Sequence, residues 1–262
     1  MKKVLNDEFS QPGSMHRHNG DHWGGRSEEA SHTSVVGLLY YYYLTGDERA
    51  WDVAQEAGEF FLKERFTYSG DPDSAPHRGM ANALWGDVLM FEATGDERYK
   101  NAADKLIEVF LKGQQPDGSF LENYQPKKDS WSGEKDELFM SWYDVGAFIS
   151  YHELTQDVAV KEMLLKLVRY LAKNESSGTV SLHGLAYGYL ISHDRELVKL
   201  AENYLAVIGR NQLNSDNPLL DGLIYDKPIY HRPNIFLYTV PYVFGAMEEA
   251  FAEERKAAGP QP

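Results

Sequence analysis

Cysteine is absent from the 262 residues, which excludes disulfides, thiolate nucleophiles and thiolate metal sites. Basic charge is scarce. Twenty-six Lys and Arg face 40 Asp and Glu, for a net charge of −14, whereas a nucleic-acid binder needs a basic footprint. An anionic small substrate is not excluded, because local arginines and histidines outweigh a distant field once desolvated. The strongly apolar run Thr33–Leu44 is too short to span a membrane and reads as a buried helix. The opening MKKVLNDEF has a basic start with no apolar run behind it, so no signal peptide is visible. As written the chain reads as cytoplasmic, and a secreted or periplasmic protein stripped of its leader would read the same way.

Aromatic residues are plentiful. Seventeen tyrosines and five tryptophans exceed what a core needs, since both prefer places where one end stays polar. A cleft lined with them suits sugar rings or a partner surface. The densest chemistry lies at 15–26, MHRHNGDHWGGR. Its glycines Gly20, Gly24 and Gly25 argue for a shaped loop rather than a helix. This loop delivers the chain into the apolar run.

The strongest structural signal is a repeat. Thr45-Gly46-Asp47-Glu48-Arg49 recurs as Thr94-Gly95-Asp96-Glu97-Arg98, each time between an apolar helix and a one-faced amphipathic helix. Glycine suits the end of the first helix, and aspartate suits the N-cap of the second. Fainter copies turn at Thr155-Gln156-Asp157 and Ser192-His193-Asp194. The reading is about nine helices, at roughly 33–44, 48–64, 79–93, from 99, 139–154, from 160, 182–191, from 197 and 235–255. The fold class is all-α: an (α/α) toroid or incomplete toroid built from about four to five helical hairpins. Residues 1–32 form an arm and site-forming loop, 33–256 the toroid, and 257–262 a flexible tail. The long loops 13–32, 65–78, 113–137, 174–181 and 211–234 precede the apolar helices and would meet at one end. Most deliver aromatics, and most add a histidine or an arginine.

The loop HxHNGDHWGGR, followed by SHT and a tyrosine-rich helix ending in LTGDERA, resembles the α/α toroid domain of the exo-acting rhamnogalacturonan-lyase and YetA-like proteins. More broadly, hairpins with TGD turns resemble (α/α)-barrel carbohydrate-active enzymes, including unsaturated glucuronyl hydrolases, lyases and sugar epimerases. The narrow match covers about 15–62, the broad one roughly 30–250. A six-hairpin toroid has twelve helices and this chain about nine. The resemblance therefore implies an isolated domain, a compact descendant, or a ring completed by another subunit or an accessory domain.

The function this implies is cleavage of an acidic, uronic-acid-containing polysaccharide or oligosaccharide by β-elimination. Such a lyase must neutralise a carboxylate, remove a proton and protonate the leaving oxygen. His18, His22, His77, Tyr143 and His183 are the catalytic candidates. Arg26 and Arg78 would bind the carboxylate. Asp21, Trp23, Trp85, Trp142, Asp144, Tyr230 and His231 complete the substrate-binding candidates, with Trp131 a further ring. The alternative is a glycoside hydrolase acting on unsaturated uronyl oligosaccharides through Asp21, Asp87, Asp144 or Asp221. A non-catalytic helical-repeat domain binding a glycan or protein is the third reading. No cofactor is called for. His16, His18, Asp21 and His22 offer a divalent metal enough ligands, against which stand the glycines that break their helical spacing. No nucleic acid or membrane is expected as partner.

Overall fold

A computed structural model describes residues 30–63, 73–136, 138, 141–174, 181–210, 214–216 and 233–258. Among these lie nine α-helices and three short strands: α1 Val36–Thr45, α2 Glu48–Leu62, β1 Ala75–Pro76, α3 His77–Thr94, α4 Glu97–Gly113, β2 Leu121–Gln125, β3 Ser130–Lys135, α5 Ser141–Thr155, α6 Val158–Asn174, α7 Ser181–Ser192, α8 Arg195–Arg210 and α9 Pro233–Ala258. The chain divides into two compact units, Met1–Val160 and Lys161–Pro262. None of these helices is long and apolar enough to cross a membrane.

The repeated turn is one hydrogen-bond device used four times. The hydroxyl of Thr45, Thr94, Thr155 or Ser192 donates to the carbonyl four residues back and accepts from the backbone N–H two residues on. The next residue is left-handed: Gly46 and Gly95 at φ +70°, Gln156 and His193 at φ +55°. Its N–H donates to the carbonyl four residues earlier at 2.7 Å in every copy, which satisfies an orphaned helix-end acceptor. The aspartate then caps the next helix, with Arg49, Arg98, Ala159 or Glu196 as N–H donor.

In the first unit α3 is buried almost all round, from Gly79 to Val88, and packs against α4 and α5, with α2 also in contact. The amphipathic helices supply one face each. Tyr99, Ala103, Leu106 and Phe110 of α4 are buried at the spacing read from the sequence. Two glycines allow close approach here: a Cβ on Gly86 would come within 2.4 Å of Phe61, and one on Gly146 within 2.7 Å of Trp85. In the second unit Leu164, Leu167 and Leu171 form the stripe along α6, all fully buried. Lys161 donates to the carbonyl of Ile191 at 2.6 Å, and Arg169 pairs with Asp194 at 3.1 Å. These bonds tie α6 to the α7–α8 hairpin, and α7 packs on α8 and α9.

The structure departs from the sequence reading in two places. The apolar run at 33–44 was expected to be buried, yet only Leu39 is buried within α1, and Tyr41 is 52% and Leu44 86% exposed. Among the described residues α1 has only α2 and α3 as substantial helix neighbours, so its outward flank stays uncovered. The loop 113–137 also contains regular structure. β2 and β3 form an antiparallel hairpin around a 3-10 turn, Pro126–Lys128, and β1 adds to the other side of β2. Tyr124 pairs with Trp131 and Asn123 with Ser132. Strand alternation therefore sends aromatics to one face and polar groups to the other.

Candidate active site

β1 runs straight into α3, so His77 opens α3 as its first residue. β3 ends at Lys135, and Asp136 follows it ahead of α5, whose first turn carries Asp144. These three segments bring one imidazole between two carboxylates. His77 Nδ1 is hydrogen-bonded to Asp136 Oδ2, and Nε2 lies 2.9 Å from Asp144 Oδ1 as an ion pair without hydrogen-bond alignment. The imidazole is buried, stacked on Phe120 at 5.1 Å and edge-on to Phe110 and Trp131. Asp144 is fully buried, while the side chain of Asp136 keeps 14% exposure.

Burial alone would lower the pKa of His77. The charges of Asp144 and Asp136 and the hydrogen bond to Asp136 outweigh it and hold the ring at about 10. At neutral pH His77 is therefore an imidazolium and has no lone pair with which to abstract a proton. Burial raises the Asp144 carboxyl, and the imidazolium offsets part of that rise. The cluster clamps the start of α3, the start of α5 and the end of the small sheet together.

Other candidates fall in described residues of the two units. Arg78, Trp142 and Tyr143 are half-buried, and Trp142 and Tyr143 have ring centroids 4.6 Å apart. Trp85 is 3% exposed and lies edge-on against Trp142 at 5.4 Å. It packs the core beneath Trp142 and offers no open face to a sugar. Trp131 donates its indole N–H to the carbonyl of Val109 at 3.2 Å and packs on the aromatic cluster. His183 lies near the start of α7, in the second unit, where burial lowers its pKa to about 4. His16, His18, Asp21, His22, Trp23, Arg26, Asp221, Tyr230 and His231 lie outside the described residues.

Sequence reasoning passed over Asp136. Its signal was available: it lies in the charged run Glu134-Lys135-Asp136-Glu137 just ahead of an apolar helix. Asp87, weighed as a hydrolytic carboxylate, is ten residues into α3 from His77, about 15 Å along the axis. Its carboxyl oxygens are buried without a hydrogen-bond partner, and burial pushes its pKa well above the usual carboxylate range. Among the described residues one cluster offers metal ligands, His193, Glu249 and Glu253 of the second unit. Its groups already satisfy one another in part: His193 pairs with Glu253 at 3.1 Å, and Tyr189 donates to Glu253 at 2.8 Å.

No protein-family model and no curated protein matches the sequence. Solved structures do match in fold. An inactive variant of an α-1,6-mannanase from Salegentibacter sp., with two consecutive aspartates replaced by alanine and in complex with α-1,6-mannotetrose, is 14% identical at TM-score 0.60. The match covers 81% of this chain and 73% of that one. The cellobiose 2-epimerase of Spirochaeta thermophila is 14% identical at TM-score 0.59, over 81% and 69%. A structure of UGL with dGlcA-Glc-Rha-Glc is 14% identical at TM-score 0.61, over 83% and 72%. Against three other family 76 glycoside hydrolase structures the chain spans 70%, 64% and 57% of their length. The fold is thus the all-α hairpin architecture of (α/α)-toroid carbohydrate-active enzymes, whole or partial. This supports the broad resemblance and not specifically the rhamnogalacturonan-lyase and YetA-like one, whose distinguishing loop lies outside the described residues.

Proposed function

We propose that the chain is a glycoside hydrolase acting on an oligosaccharide at the end where α3 and α5 begin. The observation that carries this reading is the cluster of Asp136, His77 and Asp144, set beside half-buried Arg78, Trp142 and Tyr143 on a fold shared with glycan-active enzymes. Asp136 is the carboxylate of the cluster that reaches solvent. It serves as the acid–base group that meets the glycosidic oxygen or the attacking water. His77 and Asp144 are positioning residues, since both are buried and act through Asp136. They cannot flank a sugar with it, because the imidazole fills the gap. The second catalytic group comes from the opening segment, with Asp21 first and His18 and His22 behind it. Arg78, Trp142 and Tyr143 hold the sugar. Elimination is the rival chemistry, and the burial of His77 between two carboxylates, with its pKa raised, weakens its part in it.

The test is a panel of manno-, cello- and unsaturated uronyl oligosaccharides, with saturated polyuronides included. New reducing ends and conjugated-uronate absorbance are read in parallel. Hydrolysis predicts new reducing ends, or loss of absorbance from the pre-unsaturated sugars. Asp136→Asn should cut kcat by roughly 100-fold or more while the far-ultraviolet dichroism holds. New absorbance from saturated polyuronides, or an Asp136→Asn variant within threefold of wild type, would overturn the assignment.

A further inference from the structure

The uncovered flank of α1 is built like a packing face. Gly37, Tyr40, Tyr41 and Leu44 follow the spacing i, i+3, i+4, i+7, which sets them on one side of the helix. The buried residue Leu39 lies on the opposite side, where α2 and α3 pack. Tyr40 and Tyr41 are about half exposed, as is Tyr43 beside them, and Leu44 is the most exposed large apolar side chain among the described residues. A surface helix ordinarily turns charge outward, and VGLLYYYYLT holds none. Taking roughly 200 Å² for each whole side chain, about 500 Å² is left in water on this flank. A contiguous apolar patch of that size is commonly an interaction site.

The stripe is complementary to itself. Gly37 is a gap, since a Cβ there would meet only Ser34 Oγ, at 3.8 Å. Leu44 projects from the same side about 10 Å further along the axis. Two copies of α1 laid antiparallel about a two-fold axis between Tyr40 and Tyr41 set each Leu44 over the other copy's Gly37. Each Tyr40 then lies beside the other copy's Tyr41. Together the two flanks remove about 1,000 Å² from water, the size at which a specific interface holds. Charge favours the same pairing. The chain carries −14, so two copies repel wherever their acidic surfaces meet, and α1 brings no carboxylate to the contact. Phe244 and Phe251 of α9 are also exposed, but exposed Glu248 stands between them. Covering that face with the uncharged α1 would strip the carboxylate of water and give it no partner. α1 on α1 avoids that cost.

We infer that the chain self-associates through α1, as a two-fold pair in which Leu44 of each copy packs on Gly37 of the other. A contact of this kind closes on itself, so it joins two copies without continuing the hairpin series from one chain into the next. The experiment is sedimentation velocity of the full chain over a concentration series from about 1 to 100 μM. Wild type is compared with Leu44→Glu, with Gly37→Lys and with the double variant carrying both. Both positions are exposed, and far-ultraviolet dichroism checks that the helices hold. Wild type should pass from monomer to dimer within the series. Each single variant should move that transition about 10-fold or more to higher concentration, Leu44→Glu by placing a carboxylate in an apolar seam and Gly37→Lys by filling the gap. In the double variant the new carboxylate faces the new ammonium of the other copy, and most of the shift should be recovered. A dimer indifferent to Leu44→Glu, or a double variant as weak as the singles, would overturn the inference. So would a wild-type chain that stays monomeric, which would assign the stripe to a foreign protein or a glycan instead.

Discussion

The buried clamp makes a quantitative prediction about stability and pH. His77 is held at about 10 against an ordinary value near 6.5 in the unfolded chain. A raised histidine pKa means that the folded state binds the proton more tightly. Its contribution is fully present below about pH 6.5 and is lost as pH climbs through about 10. Between pH 7 and 10.5 the first unit should lose on the order of 4 kcal/mol through this group. All five tryptophans, at 23, 51, 85, 131 and 142, fall within Met1–Val160. Intrinsic fluorescence during urea denaturation therefore reports that unit. The wild-type midpoint should fall steadily above pH 7. His77→Gln, which leaves Asp136 and Asp144 without their cation, should cost roughly 3–5 kcal/mol at pH 7. Its curve should be nearly flat from pH 7 to 10, so that the two proteins converge. Tyrosine ionisation affects both alike and cancels in the comparison. A wild-type midpoint unchanged between pH 7 and 10.5, or two parallel curves, would refute the clamp.

Other substitutions test the packing and the buried carboxyl. Gly146→Ala places a methyl within 2.7 Å of the Trp85 ring and should destabilise by about 1–3 kcal/mol, read as a lower urea midpoint with altered tryptophan emission. Asp87→Asn removes a carboxyl that burial keeps raised. That group stabilises the fold only while protonated, so the variant should match wild type in acid. It should gain stability as pH rises from the ordinary carboxylate range up to the carboxyl's folded pKa and keep that gain above it, by more than about 1 kcal/mol at alkaline pH. A variant less stable than wild type at every pH would mean that Asp87 has a partner.

Much of this fold was legible because the turn is a local device. Thr-Gly-Asp specifies a left-handed residue, a back-bonded hydroxyl and an N-cap within three positions. The structure realises all three at Thr45–Asp47 and Thr94–Asp96. Even the degenerate copies keep the geometry, with Gln156 and His193 taking the left-handed place. The small sheet was not legible, because LENYQPKKDSWSGEK alternates weakly and is broken by Pro126 and Gly133. Its order comes from Trp131 and Tyr124 packing on each other and Trp131 on Phe110 and Phe120, which is tertiary. The exposure of α1 was hidden for the converse reason: composition records how apolar a helix is, not whether a neighbour covers it. Placing His77 and Asp144 at helix starts was within reach of the sequence. Their joining through Asp136 was not, since that contact spans 59 residues.

The most direct test of the hydrolase reading follows the oxygen of water. Oligosaccharide is cleaved in water enriched in the heavy oxygen isotope, and the products are weighed by mass spectrometry. Hydrolysis predicts one heavy oxygen in one product of each cleavage, with incorporation slowed roughly 100-fold or more in Asp136→Asn. Fragments without the label, one of them lighter by a water, would establish elimination and contradict the account.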